Sequence, residues 1–232
     1  MYCLECISYS GGMQVLVSLR IFLRRHFSPY FPIEMNTKRL DGLFHAPIRE
    51  SVSNFLTAEE CSIHSCEDVK KFTETDLVKI CEMCNQPLIY DVLFKERLNG
   101  LPYTLQDASQ FIQWAAEGWK CQQWFVFLIR RNQGLGEIIA AIDIKSPNLE
   151  NGEIGYWADC NHHGIMTNAV KRICELAFRA GYRNLFACAL PTNKRSQSLL
   201  IRSGFSSDGR QVEKPFGGTC MRFTRTLINN FK

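Results

Sequence analysis

No stretch of this chain is apolar for long enough to cross a bilayer. The best candidate, Met13 to Leu23, is short, carries Arg20 and is followed by Arg24, Arg25 and His26, whereas a spanning helix needs about 20 apolar residues. A secretory leader is not matched either, because there the positive charge precedes the apolar run and here it follows. Strong charge of one sign is missing as well. Lys and Arg number 27 against 23 Asp and Glu, a formal balance of +4. Residues 1 to 40 carry +3 of it, five cations (Arg20, Arg24, Arg25, Lys38, Arg39) less Glu5 and Glu34. The remainder is near neutral, which excludes recognition of nucleic acid by bulk charge. Internal repeats and low-complexity tracts are absent, so repeat arrays are excluded too.

What the chain has in quantity is apolar residues and cysteine. Its 46% hydrophobic content suits a packed globular protein, and 232 residues allow one large domain or two small ones. The 11 cysteines are scattered through segments with helix or strand patterns, as at Cys174, Cys188 and Cys220. That fits reduced, buried thiols in a cytoplasmic protein better than a disulfide framework. Cys3/Cys6 and Cys81/Cys84 have Cys-x-x-Cys spacing, and Cys61, His64 and Cys66 lie near the second pair. Such a set is able to hold zinc. However, Cys81 and Cys84 fall in a helical run, where three-residue spacing is also that of a buried face, and no metal is expected. Residues 1 to 34 form an extension with two readings. One is a basic amphipathic helix resting on a membrane or a partner; the other, which we expect, is a poorly packed lead-in to a domain starting at Met35.

The periodicity then sets out the elements. Thr73 to Cys81 opens with cap-type residues and predicts a helix to about Pro87. A second helix follows Thr104, with Asp107 three residues on, through Phe111, Ile112, Trp114 and Ala115 to Gly118. Met35 to Ile48 supplies at most a short strand, and Ser51 to Ser65 is uninformative. Trp124 to Ile129 and Ile138 to Ile144 form a hairpin, and Glu153 to Ala158 extends it to an antiparallel meander. Asn161 to Ala180 is a polar loop and an amphipathic helix, stopped at Gly181. Asn184 to Leu190 is almost wholly apolar, as a strand buried on both faces is. Strand, helix and strand in succession give a parallel pair with a right-handed crossover. A short helix capped by Asn193 and two strand-like runs near 205–212 and 220–227 close the chain. The fold class is α/β, a mixed sheet with helices on both faces. Because the loop at Asn161 joins a strand end to a helix start, unpaired N–H groups and the positive end of a helix dipole meet there, a ready anion site.

Taken together, Tyr103-Thr104-Leu105-Gln106-Asp107-Ala108 with Phe111-Ile112, Gly155-Tyr156-Trp157, His163-Gly164-Ile165-Met166-Thr167 and Pro191-Thr192-Asn193-Lys194-Arg195-Ser196 ending in Gly204-Phe205 resemble the Gcn5-related N-acetyltransferase (GNAT) superfamily. More narrowly, they are similar to its branch of ribosomal-protein N-terminal acetyltransferases. The resemblance spans roughly residues 68 to 228, within a domain of 35–232. The superfamily's phosphate loop, Gln/Arg-x-x-Gly-x-Gly/Ala, falls here on Asn161, Gly164 and Met166, so two of its three positions differ.

The resemblance implies acetyl-coenzyme A in a cleft where the strand 153–158 splays from the strand 184–190. Pantetheine amides would pair with the backbone of Tyr156, Trp157 and Ala158. The diphosphate would lie on the N–H groups of His162, His163, Gly164, Ile165, Met166 and Thr167, and the Asn193 side chain would meet the cofactor's arm. An amine would attack the thioester directly, with the oxyanion held by a strand N–H near Trp157 and the leaving thiolate protonated by Ser196. Glu153, at the head of the cleft strand, is the expected base, with Glu137 on the neighbouring strand as the other candidate. The opposing reading is a non-catalytic acyl-coenzyme A binding module. As for the acceptor, an α-amine of pKa about 7.7 to 8.0 is roughly a fifth to a third unprotonated near pH 7.4, and a lysine of pKa about 10.4 only about a thousandth. An enzyme without an obvious strong base therefore suits a protein or peptide N-terminus, or a small amine of low pKa.

Overall fold

The computed structural model describes residues 43–131, 136–213 and 218–228; the expected extension 1–34, with Cys3 and Cys6, and the expected domain start at Met35 lie outside them. In chain order the elements are β1 (Arg49–Ser53), β2 (Glu60–Ser65), α1 (Glu74–Cys84), α2 (Leu105–Cys121), β3 (Phe125–Arg131), β4 (Ile138–Ile144), β5 (Gly152–Ala158), α3 (Ile165–Arg179), β6 (Asn184–Ala189), α4 (Lys194–Arg202), β7 (Ser206–Glu213) and β8 (Thr219–Thr226). Helices α1 and α2 both begin on reciprocal caps. Thr73 and Thr104 accept from the N–H groups of Asp76 and Asp107, whose carboxylates accept in return from the Thr73 and Thr104 N–H groups.

The sheet has eight strands in the order β1-β2-β3-β4-β5-β6-β8-β7. All its neighbours are antiparallel except β5 and β6. β3 and β4 are buried along nearly their whole length because helices cover both faces. The register places Ile142, Ile154, Tyr156 and Ala187 on the face under α3 and α4, where Ile173, Ala177 and Leu200 join the same core. Alternation then turns Arg130, Asp143, Gly155, Trp157 and Asp159 to the other face, under α1 and α2. Arg130 Nη1 meets Asp76 Oδ1 of α1 at 2.7 Å, Lys79 Nζ meets Asp159 at 2.9 Å, and Phe111 of α2 lies 6.0 Å from the Trp157 ring.

Three features depart from the expectation. The hairpin β1–β2 occupies the stretch that has no clear pattern: Val52, Cys61 and Ile63 are buried on one face, but Glu50 stands opposite Ile63 on it, and Arg49, Ser51, Ser62 and His64 fill the other face and mask the period. Helix α2 passes through Gly118, which is buried, and stops instead at Gln122 in the left-handed region. A one-turn helix at Pro87–Ile89 and a wider turn at Tyr90–Phe94 follow α1.

The junction of the two sheet halves decides where a ligand can enter. β5 pairs with β6 at Gly152–Leu185 and Glu153–Phe186, and from Ile154 onward the strands part.

Candidate active site

Past that junction, β5 keeps its partner on one side alone. Lys145 N–H donates to Glu153 O and Asp159 N–H to Ile139 O, each at 2.8 Å. In an antiparallel ladder such pairs recur at every second residue, so Gly155 and Trp157 also turn their backbone groups to β4. The groups of Tyr156 and Ala158 face the gap left by β6. Trp157 therefore contributes no N–H to the gap, and its ring packs on Phe111, the first member of an aromatic row continued by Trp114 (6.2 Å) and Trp124 (5.2 Å).

At the far end of β5, Asp159 organises the loop into α3. Its Oδ1 accepts from Asn161 N–H (2.9 Å), Asn161 Nδ2 (3.0 Å) and Gln86 Nε2 (2.9 Å), and Gln86 Oε1 accepts from Cys160 N–H (2.8 Å). His162 gives its N–H to Asp159 O (3.0 Å) and turns its ring back, Nδ1 lying 3.4 Å from Asp159 Oδ2. The Asn161 amide and the His162 ring are thus both turned toward Asp159. Asn54, buried in the β1–β2 turn, donates from Nδ2 to His163 O (2.9 Å). Gly164, at φ +97°, is the N-cap of α3 and supplies no side-chain cap, unlike Thr73, Thr104 and Asn193 on the other long helices. The first-turn N–H groups at Ile165, Met166 and Thr167 have no acceptor from a capping side chain, while the Ile165 and Met166 side chains sink into the core. An uncapped first turn opening from a glycine fits a diphosphate.

Helix α4 lies along the same gap. Asn193 Oδ1 accepts from Ser196 N–H at 3.0 Å, so the Asn193 amide is engaged as a cap through its oxygen. Ser196 Oγ stands 2.7 Å from the Tyr156 hydroxyl. Burial pushes the Tyr156 phenol up to about 12, so it is protonated at neutral pH. At the other end of α4, Arg202 Nε lies 3.4 Å from Thr167 Oγ1, beside the uncapped turn.

The two expected bases are both engaged. Glu153 Oε1 pairs with Lys145 Nζ at 2.5 Å, and Glu137 Oε1 with Lys79 Nζ at 2.6 Å. A third carboxylate, Asp143, stands opposite Gly155 on the α1–α2 face. Its Oδ1 is excluded from solvent and has no hydrogen-bond partner. Sequence reasoning passed over it because an isolated Asp in an apolar strand carries no motif. It equally passed over the Tyr156 phenol, Gln86 and Asn54, which reach the site only through tertiary contacts.

The comparisons agree with this geometry. Many solved structures share the fold, among them the following three. RimJ of Mycobacterium smegmatis, in complex with CoA-disulfide, is 14% identical with TM-score 0.62 over 80% of this chain and 90% of that one. The ribosomal-protein-S5-alanine acetyltransferase of Vibrio fischeri is 18% identical with TM-score 0.56 over 74% and 95%. A Salmonella typhimurium acetyltransferase that modifies the N-terminal serine of ribosomal protein L7/L12 is 14% identical with TM-score 0.56 over 72% and 95%. No curated protein sequence matches significantly. The family model of the acetyltransferase (GNAT) domain matches residues 69–206, from the segment before α1 to the first residue of β7, and the chain belongs to that family.

Proposed function

We propose that this acetyl-coenzyme A dependent N-acetyltransferase acts on the α-amine of a protein or peptide, as the Salmonella typhimurium enzyme that modifies the N-terminal serine of L7/L12 does, in the reducing cytoplasm to which its free cysteines are suited. The observation that carries the reading is the parting of β5 from β6 after Glu153, which leaves the backbone of Tyr156 and Ala158 open beside an uncapped α3 turn and the Tyr156–Ser196 pair.

In this reading the acetyl donor supplies an activated thioester, and the chain does the rest. Tyr156 and Ala158 pair with the amides of the donor's arm. Gly164 to Thr167 hold its diphosphate through backbone N–H groups and the helix dipole. Ser196, kept in place by Asn193 and Tyr156, gives a proton to the departing sulfur, and the Tyr156 phenol resupplies it. His162 shapes the loop through Asp159, and His163 through the hydrogen bond that its carbonyl accepts from Asn54.

The test is release of coenzyme A thiol with a panel of peptides that differ at the N-terminus, beside lysine-bearing and small amines. Turnover concentrated on α-amines is expected. Equal turnover on lysine side chains would overturn the acceptor assignment, and cofactor binding without turnover on any amine would overturn the enzyme reading.

A further inference from the structure

A buried acceptor atom without a partner needs an explanation, and Asp143 Oδ1 is one such atom. Its position follows from Gly155. A Cβ built on Gly155 would lie 2.5 Å from Asp143 Oδ1 and 2.8 Å from Lys145 Cε. The missing side chain is thus what leaves room for a β4 carboxylate over the β5 backbone at Gly155. Tyr156, whose backbone opens into the gap left by β6, is the next residue along, about 3.3 Å further on. The charged groups that face Asp143 are Lys145, Glu153 and, from the segment between α1 and α2, Arg97. Lys145 is engaged by Glu153 (2.5 Å). Burial pushes the Asp143 carboxyl above its usual range; Lys145 works against this and Glu153 adds to it. Burial likewise lowers Arg97 to about 10.

We propose that Asp143 is the group that takes the proton of the acceptor amine, which enters from the α1–α2 face while Ser196 serves the sulfur from the α3–α4 face. The inference rests on the acetyltransferase reading and assigns the base that the ion-paired Glu153 and Glu137 do not supply. The acceptor arrives as an ammonium and gives one proton to Asp143. Its lone pair then forms the C–N bond as the C–S bond breaks. The first proton leaves Asp143 for water, the carboxylate takes the second nitrogen proton as the amide forms, and water restores the proton that Ser196 and Tyr156 gave to sulfur. Since an α-amine gives up its proton about 2.5 pH units more readily than lysine, a lone carboxylate suffices for the first and not for the second. Asp143 thereby sets the acceptor class as well as the rate.

Asp143→Asn keeps the shape and removes the base. Expected are a loss of about 10²–10⁴-fold in kcat on an α-amine peptide, a coenzyme A Kd within twofold of the parent, and a higher Tm at neutral pH. The rise in Tm has a definite sign. A carboxyl whose pKa is raised by folding is destabilising when ionised, that is, as pH rises from its unfolded value through its folded one. The activity deficit should also shrink as pH is raised past the amine's own pKa, because the acceptor then arrives deprotonated. Gly155→Ala, which displaces the carboxylate, should lose turnover similarly with cofactor affinity intact. Activity of Asp143→Asn within threefold of the parent overturns the proposal, as does a deficit that is constant with pH or tracks a lower Tm. Failure of the parent protein to turn over any amine would instead count against the acetyltransferase reading itself.

Discussion

The Tyr156 hydroxyl and Ser196 Oγ face each other at 2.7 Å, joining β5 to the first turn of α4. In the proposed reading the pair lies beside the gap between β5 and β6, and the contact would hold the proton donor where a sulfur would leave. Ser196→Ala should lower kcat by on the order of 10²-fold with little change in cofactor Kd. Tyr156→Phe should fall between the parent and Ser196→Ala, since Asn193 still caps α4. Steady-state kinetics with isothermal titration separates the two parameters; a Ser196→Ala enzyme of parental kcat would remove the residue from the reaction.

Gly164 is constrained by more than the proposed phosphate approach. A Cβ there would sit 2.4 Å from Asn54 Oδ1 and 2.8 Å from Leu56 Cγ, on a backbone at φ +97°. Gly164→Ala should cost about 1–3 kcal/mol of stability from the backbone alone and weaken coenzyme A binding as the β1–β2 turn is pushed away. Thermal denaturation beside titration checks both effects. A variant that loses affinity at unchanged Tm would show that the β1–β2 turn does not constrain the loop.

Arg130 and Asp76 form a buried pair at 2.7 Å, with 6% and 12% of their side chains exposed. Removing one partner strands the other, so Arg130→Ala should destabilise the fold by about 3–5 kcal/mol. Chemical denaturation gives the value directly, and a loss below 1 kcal/mol would mean that water reaches Asp76 freely.

Asp159 predicts an acid limb. Burial opposes its charge, but the Asn161 N–H, the Lys79 ammonium and the Gln86 amide prevail and hold the carboxyl below the usual range. Stability from a depressed carboxylate is present above its unfolded pKa of about 3.9 and is lost as pH falls through the folded value. The stability gap between the parent and Asp159→Asn should therefore be widest at pH 6 and narrow toward pH 3. A gap independent of pH would show that the carboxylate's charge is not what ties α1 to the loop.

The elements that build the cleft were legible because their signals are local. Thr73 and Thr104 announce their helices with an Asp three residues on, the face of α3 is regular from Met166 to Ala177, and β6 is apolar from Leu185 to Ala189, although it is buried only at Leu185, Ala187 and Ala189 and not on both faces as expected. β1 and β2 were not legible, because Glu50 interrupts the buried face and Ser62 and Ser65 are buried beside Cys61 and Ile63, so no apolar alternation shows. The site divided in the same way. Glycine and asparagine at loop and cap positions could be placed from sequence. By contrast, the roles of Glu153, Glu137 and Asp143 depend on which of them a lysine reaches, and that is decided across strands. Trp157 shows the limit plainly: sequence puts it on the cleft strand, but only pairing with β4 shows which way its N–H turns.

The two-rung junction at Gly152 and Glu153 makes β5 an edge strand in the interior of an eight-stranded sheet. Natural sheets shield such edges, and here the covering would be the substrate itself. Amide hydrogens at Tyr156 and Ala158 should then exchange quickly in the empty protein and slowly once coenzyme A is bound. Ligand at 100 times its Kd adds about 2.7 kcal/mol to the resistance against unfolding, so the chain would be least protected from proteolysis when acetyl donor is scarce.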